Sequence, residues 1–136
     1  MDLEILKIAS DIKNYKNIKN YTHYSKMKNP LCGDEIQIKL VINNEKIKDF
    51  GYQGNSCIYC QATTSLLSKN IINYNKKKVN ELCDFAIEYF NGKNEKLNNK
   101  WKFMKKLFKK KNFPRKECIL LPFNALRKIV TKWIYG

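Results

Sequence analysis

The stretch NPLCGDEIQIKLVINNEKIKDFGYQGNSCIYCQATTS, residues 29–65, decides the fold. Over 36–42 apolar and polar residues alternate, the period of a half-buried strand. Asn43-Asn44 supplies a turn, and a second run follows over 46–52, so the stretch predicts a β-hairpin. Gly54, Asn55 and Ser56 then break the strand. Small residues and the pair Leu66-Leu67 follow, predicting a helix over 57–73 that begins near Cys57. A thiol and a carboxylate, Cys32 and Asp34, stand two positions apart at the mouth of the first strand.

Upstream, Leu3, Ile5, Leu6, Ile8, Ala9 and Ile12 predict an amphipathic helix over 3–15, with Asp2 and Glu4 near its positive end. Residues 16–28 are polar and read as a connector. Downstream, Val79, Leu82, Cys83, Ala86 and Phe90 fall at helical spacing after the lysines 76–78, and Gly92 is a stop signal. Leu97, Trp101, Met104 and Phe108 form a further stripe on a lysine-rich helix. Pro114 marks a break. Phe123, Leu126, Ile129, Val130 and Trp133 make a last helix, with Pro122 at its first turn, where a missing N–H costs little.

The chain has 136 residues, the length of one domain with a core of its own, and 1–136 is read as a single domain. No apolar run approaches the ~20 residues of a membrane span. The opening residues place acids before apolar residues and lack the basic start of a secretory signal, so a cytoplasmic location is expected. The net charge is +15, yet all of its 27 basic residues except Arg115 and Arg127 are lysine. Bidentate readers of bases and phosphates favour arginine, so the charge argues against specific nucleic-acid binding. It still attracts acidic partners at low salt.

Five cysteines, Cys32, Cys57, Cys60, Cys83 and Cys118, are an odd number for a disulfide framework and point to metal, catalysis or core packing. Cys32 precedes a strand, Cys57 lies at a strand-to-helix junction, and Cys118 precedes the last helix. A fold gathers such element ends. Helix starts at Cys57 and Cys118 would lower their thiol pKa values. With Asp34 the three thiols make four ligands, the count tetrahedral zinc prefers; the same set suits an iron–sulfur cluster. The gaps between these cysteines are long, unlike paired C-x-x-C ribbons. Spacing alone therefore leaves a shared metal site and three unrelated cysteines both open. Cys83 lies on an apolar stripe and reads as core, as do Trp101 and Trp133. Cys60, one turn beyond Cys57, reads as a small buried residue or an auxiliary sulfur ligand. His23 reads as a surface loop residue, and the lysines over 105–111 as a solvated helix face.

The segment 29–65, with FPRKECILLPFNAL over 113–126, resembles the U-type iron–sulfur assembly proteins IscU and SufU. Their pattern is a C-G-D turn, a hairpin, a cysteine at a helix start, and a third cysteine before the final helix. The resemblance spans about 29–133. It implies an α+β fold: a small antiparallel sheet of about three strands covered by helices on one face, the third strand coming from 20–30. It implies that Cys32, Asp34, Cys57 and Cys118 are the metal ligands. Glu117 stands where IscU proteins carry histidine, and the stretch between the second and third cysteines is long. Arg115 stands where SufU proteins carry a basic residue. These features resemble the SufU branch. They imply zinc, persulfide sulfur accepted on Cys32 from a SufS-type cysteine desulfurase, and delivery to downstream Suf-type proteins. The alternative implied is a scaffold that holds iron or a 2Fe-2S cluster on the same residues. A basic zinc module binding nucleic acid is a third, weaker reading. The chain departs from the pattern at Ser56, where the family often has glycine, and at NYKNIK (14–19), where Asn14 replaces a histidine.

Overall fold

The computed structural model describes residues 2–93, 96–97 and 99–133. A helix α1 (Leu3–Ala9) leads to three strands, β1 (His23–Lys28), β2 (Glu35–Asn43) and β3 (Lys46–Asn55). Helices α2 (Ile58–Asn70) and α3 (Lys76–Phe90) follow. Two 3-10 segments, Asn99–Met104 and Lys110–Arg115, then lead into α4 (Lys116–Lys132). The strands form one antiparallel sheet in the order β1-β2-β3. This is the expected α+β architecture, and its third strand lies within the expected 20–30.

The alternation read from the sequence is the burial pattern of β2. Ile36, Ile38, Leu40 and Ile42 are buried, while Gln37, Lys39 and Val41 between them are only half-buried. Ile38 pairs with Tyr52 and Leu40 with Phe50, so both strands present large apolar groups to the same side. A register shift at Val41/Ile42 brings Ile42 opposite Ile47. Helix α4 packs on β1 and β2, and α2 packs against β3, α1 and α4. One hydrophobic cluster joins the sheet to all four helices. No helix among the described residues is long and apolar enough to cross a membrane.

The hairpin turn sits one residue later than the sequence suggests. Its two central residues are Asn44 and Glu45, both with positive φ (52° and 61°), as a type I′ turn requires. Strand β3 does not break at residue 54 but runs to Asn55. Gly54 pairs with Ile36, and a Cβ there would lie 2.2 Å from the Glu35 carbonyl oxygen. The glycine allows close approach of two backbones and does not end the strand.

Helix α1 is shorter than its periodicity suggests. Asp2 caps it, accepting from the N–H groups of Glu4 and Ile5 at 3.0 and 3.3 Å. After Ala9 the chain is held elsewhere. The Ser65 hydroxyl donates to the Asp11 carbonyl at 2.9 Å, and Lys69 pairs with the Asp11 carboxylate at 2.7 Å. Asn14 and Lys16 then exchange backbone hydrogen bonds with Tyr52, leaving Ile12 exposed. The lysines 76–78 form the first turn of α3, capped by Asn75, which accepts from Lys78 N–H at 2.8 Å.

Among the described residues, the lysine-rich stripe from Trp101 to Phe108 is not an α-helix. It folds as short 3-10 pieces around Phe108, whose ring lies 5.8 Å from Phe85, 5.1 Å from Tyr89, 5.2 Å from Phe90 and 6.2 Å from Phe123. The buried Asn112 amide donates to the Leu107 carbonyl at 2.8 Å and holds that bend. The lysines over 105–111 therefore do not form one helix face. Helix α4 starts at Lys116, well before Pro122, so the proline is interior. Its missing N–H leaves the Cys118 carbonyl without the usual partner four residues on.

Candidate metal centre

The loop between β1 and β2 is built by Asn29. This buried residue accepts from Leu31 N–H on its side-chain oxygen at 3.0 Å and from Gly33 N–H on its carbonyl at 2.8 Å. Its own N–H donates to the Asp34 carbonyl at 2.7 Å. Gly33 adopts a φ of +79°, a conformation glycine takes without strain. The outcome is unequal exposure of the two side chains that flank Gly33. Cys32 is exposed at the tip beside Leu31, and Asp34 turns inward to 7% exposure.

Two helix starts meet this loop. Cys57 is the N-cap of α2, with extended backbone angles and no side-chain cap hydrogen bond. Its N–H donates to Asp34 Oδ1 at 3.1 Å. Gln61 Nε2 reaches back to the Ser56 carbonyl at 2.7 Å and fixes the turn into the helix. Cys118 lies in the first turn of α4, not before it as expected from Pro122, and is buried.

The ligand atoms of Cys32, Asp34 and Cys118 all lie within 4.8 Å of one another. Cys57 is outside that tight triad, yet it borders it on two sides: its backbone bonds Asp34, and its thiol interacts with that of Cys118. Asp34 Oδ2 is buried and has no hydrogen-bond partner. A buried carboxylate oxygen without a donor is costly unless a cation meets it. Two thiols within reach and a third beside them are a donor set suited to zinc or to iron in a cluster.

The expected lowering of the Cys118 thiol pKa is reversed. Burial pushes it up, and the neighbouring Cys57 and Asp34 push it further, since each disfavours a second negative charge there. Burial outweighs the helix start.

The remaining candidates divide. Cys60 is fully buried below Cys57 and is pushed up to about 12 by that burial. It is not among the three mutually close ligands. Cys83 is core, its thiol 3.6 Å from the Phe123 carbonyl and likewise raised to about 12 by burial. Arg115 is exposed and its guanidinium lies 5.5 Å from the Tyr59 ring centre, a cation–π contact that links the starts of α4 and α2. His23 begins β1 and is not in a loop. It is half-buried beside Trp133, and burial lowers its pKa. Two residues that matter were given no role by the sequence reading. Asn29, directly before Pro30, carries the signal of a turn-forming side chain. Tyr59 carries none.

Known proteins resemble this chain in sequence and in fold. The NifU-like N-terminal domain family matches residues 4–98. The chain is 29% identical over 129 residues to the iron–sulfur cluster assembly scaffold protein IscU of Thermotoga maritima, covering 94% of this chain and 90% of that one. It is 26% identical over 107 residues to IscU of Streptococcus pyogenes, covering 78% and 67%. Among solved structures, FiSufU from Fervidobacterium islandicum, described as an iron–sulfur cluster assembly scaffold for the SUF system, superposes with a TM-score of 0.86 at 26% identity, covering 96% of each chain. A NifU-like N-terminal domain from Brucella abortus gives a TM-score of 0.85 at 17% identity over 96% of this chain and 92% of that one, a likeness of fold. With the family matched over residues 4–98, more than half of its length, the chain belongs to the NifU-like N-terminal domain family.

Proposed function

We propose that this protein serves iron–sulfur cluster assembly by accepting sulfur from a cysteine desulfurase at a site made of Cys32, Asp34, Cys57 and Cys118. The observation that carries this reading is the convergence of Cys32, Asp34 and Cys118 within 4.8 Å around an unpartnered buried carboxylate oxygen. The naming of relatives as cluster assembly scaffolds supports the process.

Zinc, when bound, would hold the thiols as thiolates. Asp34 would supply its free Oδ2, and its Oδ1 would stay on the Cys57 N–H. Cys32 is the exposed thiol of the set and stands on a loop tip, so it is the one a partner can reach. Its thiolate attacks the outer sulfur of the desulfurase persulfide; the desulfurase cysteine leaves as thiolate and Cys32 carries the persulfide. Arg115, bridging the two helix starts, positions the site or meets the partner's acidic groups.

The scaffold reading uses the same four residues with a 2Fe-2S cluster as cargo. The carboxylate favours it as well: a hard oxygen among soft sulfurs holds iron loosely enough to release it. Desulfurase turnover with and without the protein separates the two. Stimulation that vanishes in Cys32→Ala supports sulfur acceptance. No stimulation, together with a 2Fe-2S absorption spectrum after anaerobic reconstitution, supports the scaffold. The absence of both stimulation and a cluster spectrum would end both readings.

A further inference from the structure

We propose that Cys57 and Cys60 are a redox-active dithiol that closes to a disulfide by exchange with a small-molecule disulfide such as oxidised glutathione. The residues read Cys57-Ile58-Tyr59-Cys60, with Cys57 the N-cap of α2 and Cys60 in its first turn. Three steps along a helix place two Cα atoms about 5 Å apart, inside the roughly 4.4–6.8 Å that a disulfide spans.

The two sulfurs differ in access as such a pair requires. Cys57 is half-buried, open to a reagent, and its thiol makes no cap hydrogen bond, only the contact with Cys118. Cys60 is fully buried, out of reach of an external reagent. The turn carrying Cys57 is fixed at both ends, by Gln61 on the Ser56 carbonyl and by Asp34 on the Cys57 N–H. Cys118, whose thiol meets that of Cys57 from the separate helix α4, is the competing partner, and the experiment below decides between the two.

The step balances without another reactant. The Cys57 thiolate attacks one sulfur of the small disulfide, forming a mixed disulfide and expelling one small thiolate. Cys60 then attacks the Cys57 sulfur; the Cys57–Cys60 bond forms, and the second small thiol departs with the Cys60 proton. Two protein thiols are oxidised and one small disulfide is reduced to two thiols. The disulfide itself does not depend on the proposed function. One consequence does: an oxidised Cys57 leaves the donor set around Asp34, so metal binding and oxidation exclude each other.

The test is direct because residues 49–69 contain both cysteines and form one tryptic peptide between Lys48 and Lys69. Metal-stripped, reduced full-length protein is treated with oxidised glutathione, alkylated, digested and weighed. The expected result is peptide 49–69 lighter by two hydrogens and unalkylated, and in Cys60→Ala a glutathione adduct on Cys57 instead. Both cysteines alkylated in the wild type, or Cys57 crosslinked to the peptide carrying Cys118, overturns the proposal. Repeating the treatment with zinc preloaded tests the metal reading separately: oxidation at the metal-free rate counts against that reading and leaves the dithiol standing.

Discussion

The backbone N–H of Cys57 donates to Asp34 Oδ1 at 3.1 Å, while Oδ2 of the same carboxylate is buried with no partner. One oxygen is structural and the other is free. Asp34→Asn keeps an acceptor for Cys57 but replaces the free anionic oxygen with an amide. It should change stability by less than about 1 kcal/mol and weaken metal binding at least ~10-fold. Asp34→Ala should lose both the metal affinity and the clamp between the two loops. Thermal melts and competitive metal titrations read the two effects apart.

Metal uptake should release protons. Burial and the neighbouring Cys57 and Asp34 raise the Cys118 thiol pKa, so the metal-free protein holds that proton at neutral pH. A metal must expel it, and affinity should therefore rise with pH between about 6 and 8. Calorimetry in buffers of different ionisation enthalpy counts the protons; none released would refute the account of Cys118.

The metal-free fold should lose stability in alkali. Cys60 and Cys83 are each raised to about 12 by burial. A raised folded-state pKa favours the neutral thiol, so this stability is complete below the unfolded thiol value of ~8.5. It is lost as pH rises from there towards about 12. Melting temperatures of reduced, metal-stripped protein should fall steadily above pH 9, and Cys83→Ala should flatten that fall.

Glu45 holds a positive φ of 61° in the hairpin turn. Left-handed backbone costs a non-glycine residue roughly 1 kcal/mol, and an Asn-Gly pair suits this turn best. Glu45→Gly should raise the urea midpoint by the equivalent of about 0.5–1 kcal/mol.

Phe108 is the hub of an aromatic cluster drawn from α3, α4 and the 3-10 region. Phe108→Ala should cost about 3–5 kcal/mol in chemical denaturation. A smaller loss would mean that the region 99–115 folds independently of the core.

The hairpin and the C-G-D loop were legible because alternation and turn residues are local signals. Ile36 to Leu40 alternate in the sequence and are buried alternately in the fold. The helix over 3–15 was misjudged because its end is set by partners far along the chain, Ser65 and Lys69 on Asp11. The stripe around Phe108 has helical spacing, yet ring packing and Asn112 bend it instead. Pro122 looked like a helix start, but α4 carries it inside and begins early enough to bring Cys118 into its first turn. Convergence of Cys32, Asp34 and Cys118 came from the resemblance, since no spacing rule relates loops so distant in sequence. The direction of the Cys118 pKa shift was misread because burial is a tertiary property.

Zinc stoichiometry across cysteine variants tests the central claim most directly. The account predicts one zinc per chain for the wild type and for Cys83→Ala, and loss of zinc in Cys32→Ala, Cys57→Ala and Cys118→Ala, each still folded by circular dichroism. Retention of stoichiometric zinc in any of those three folded variants, or no zinc bound by the wild type, would contradict a site shared by these residues.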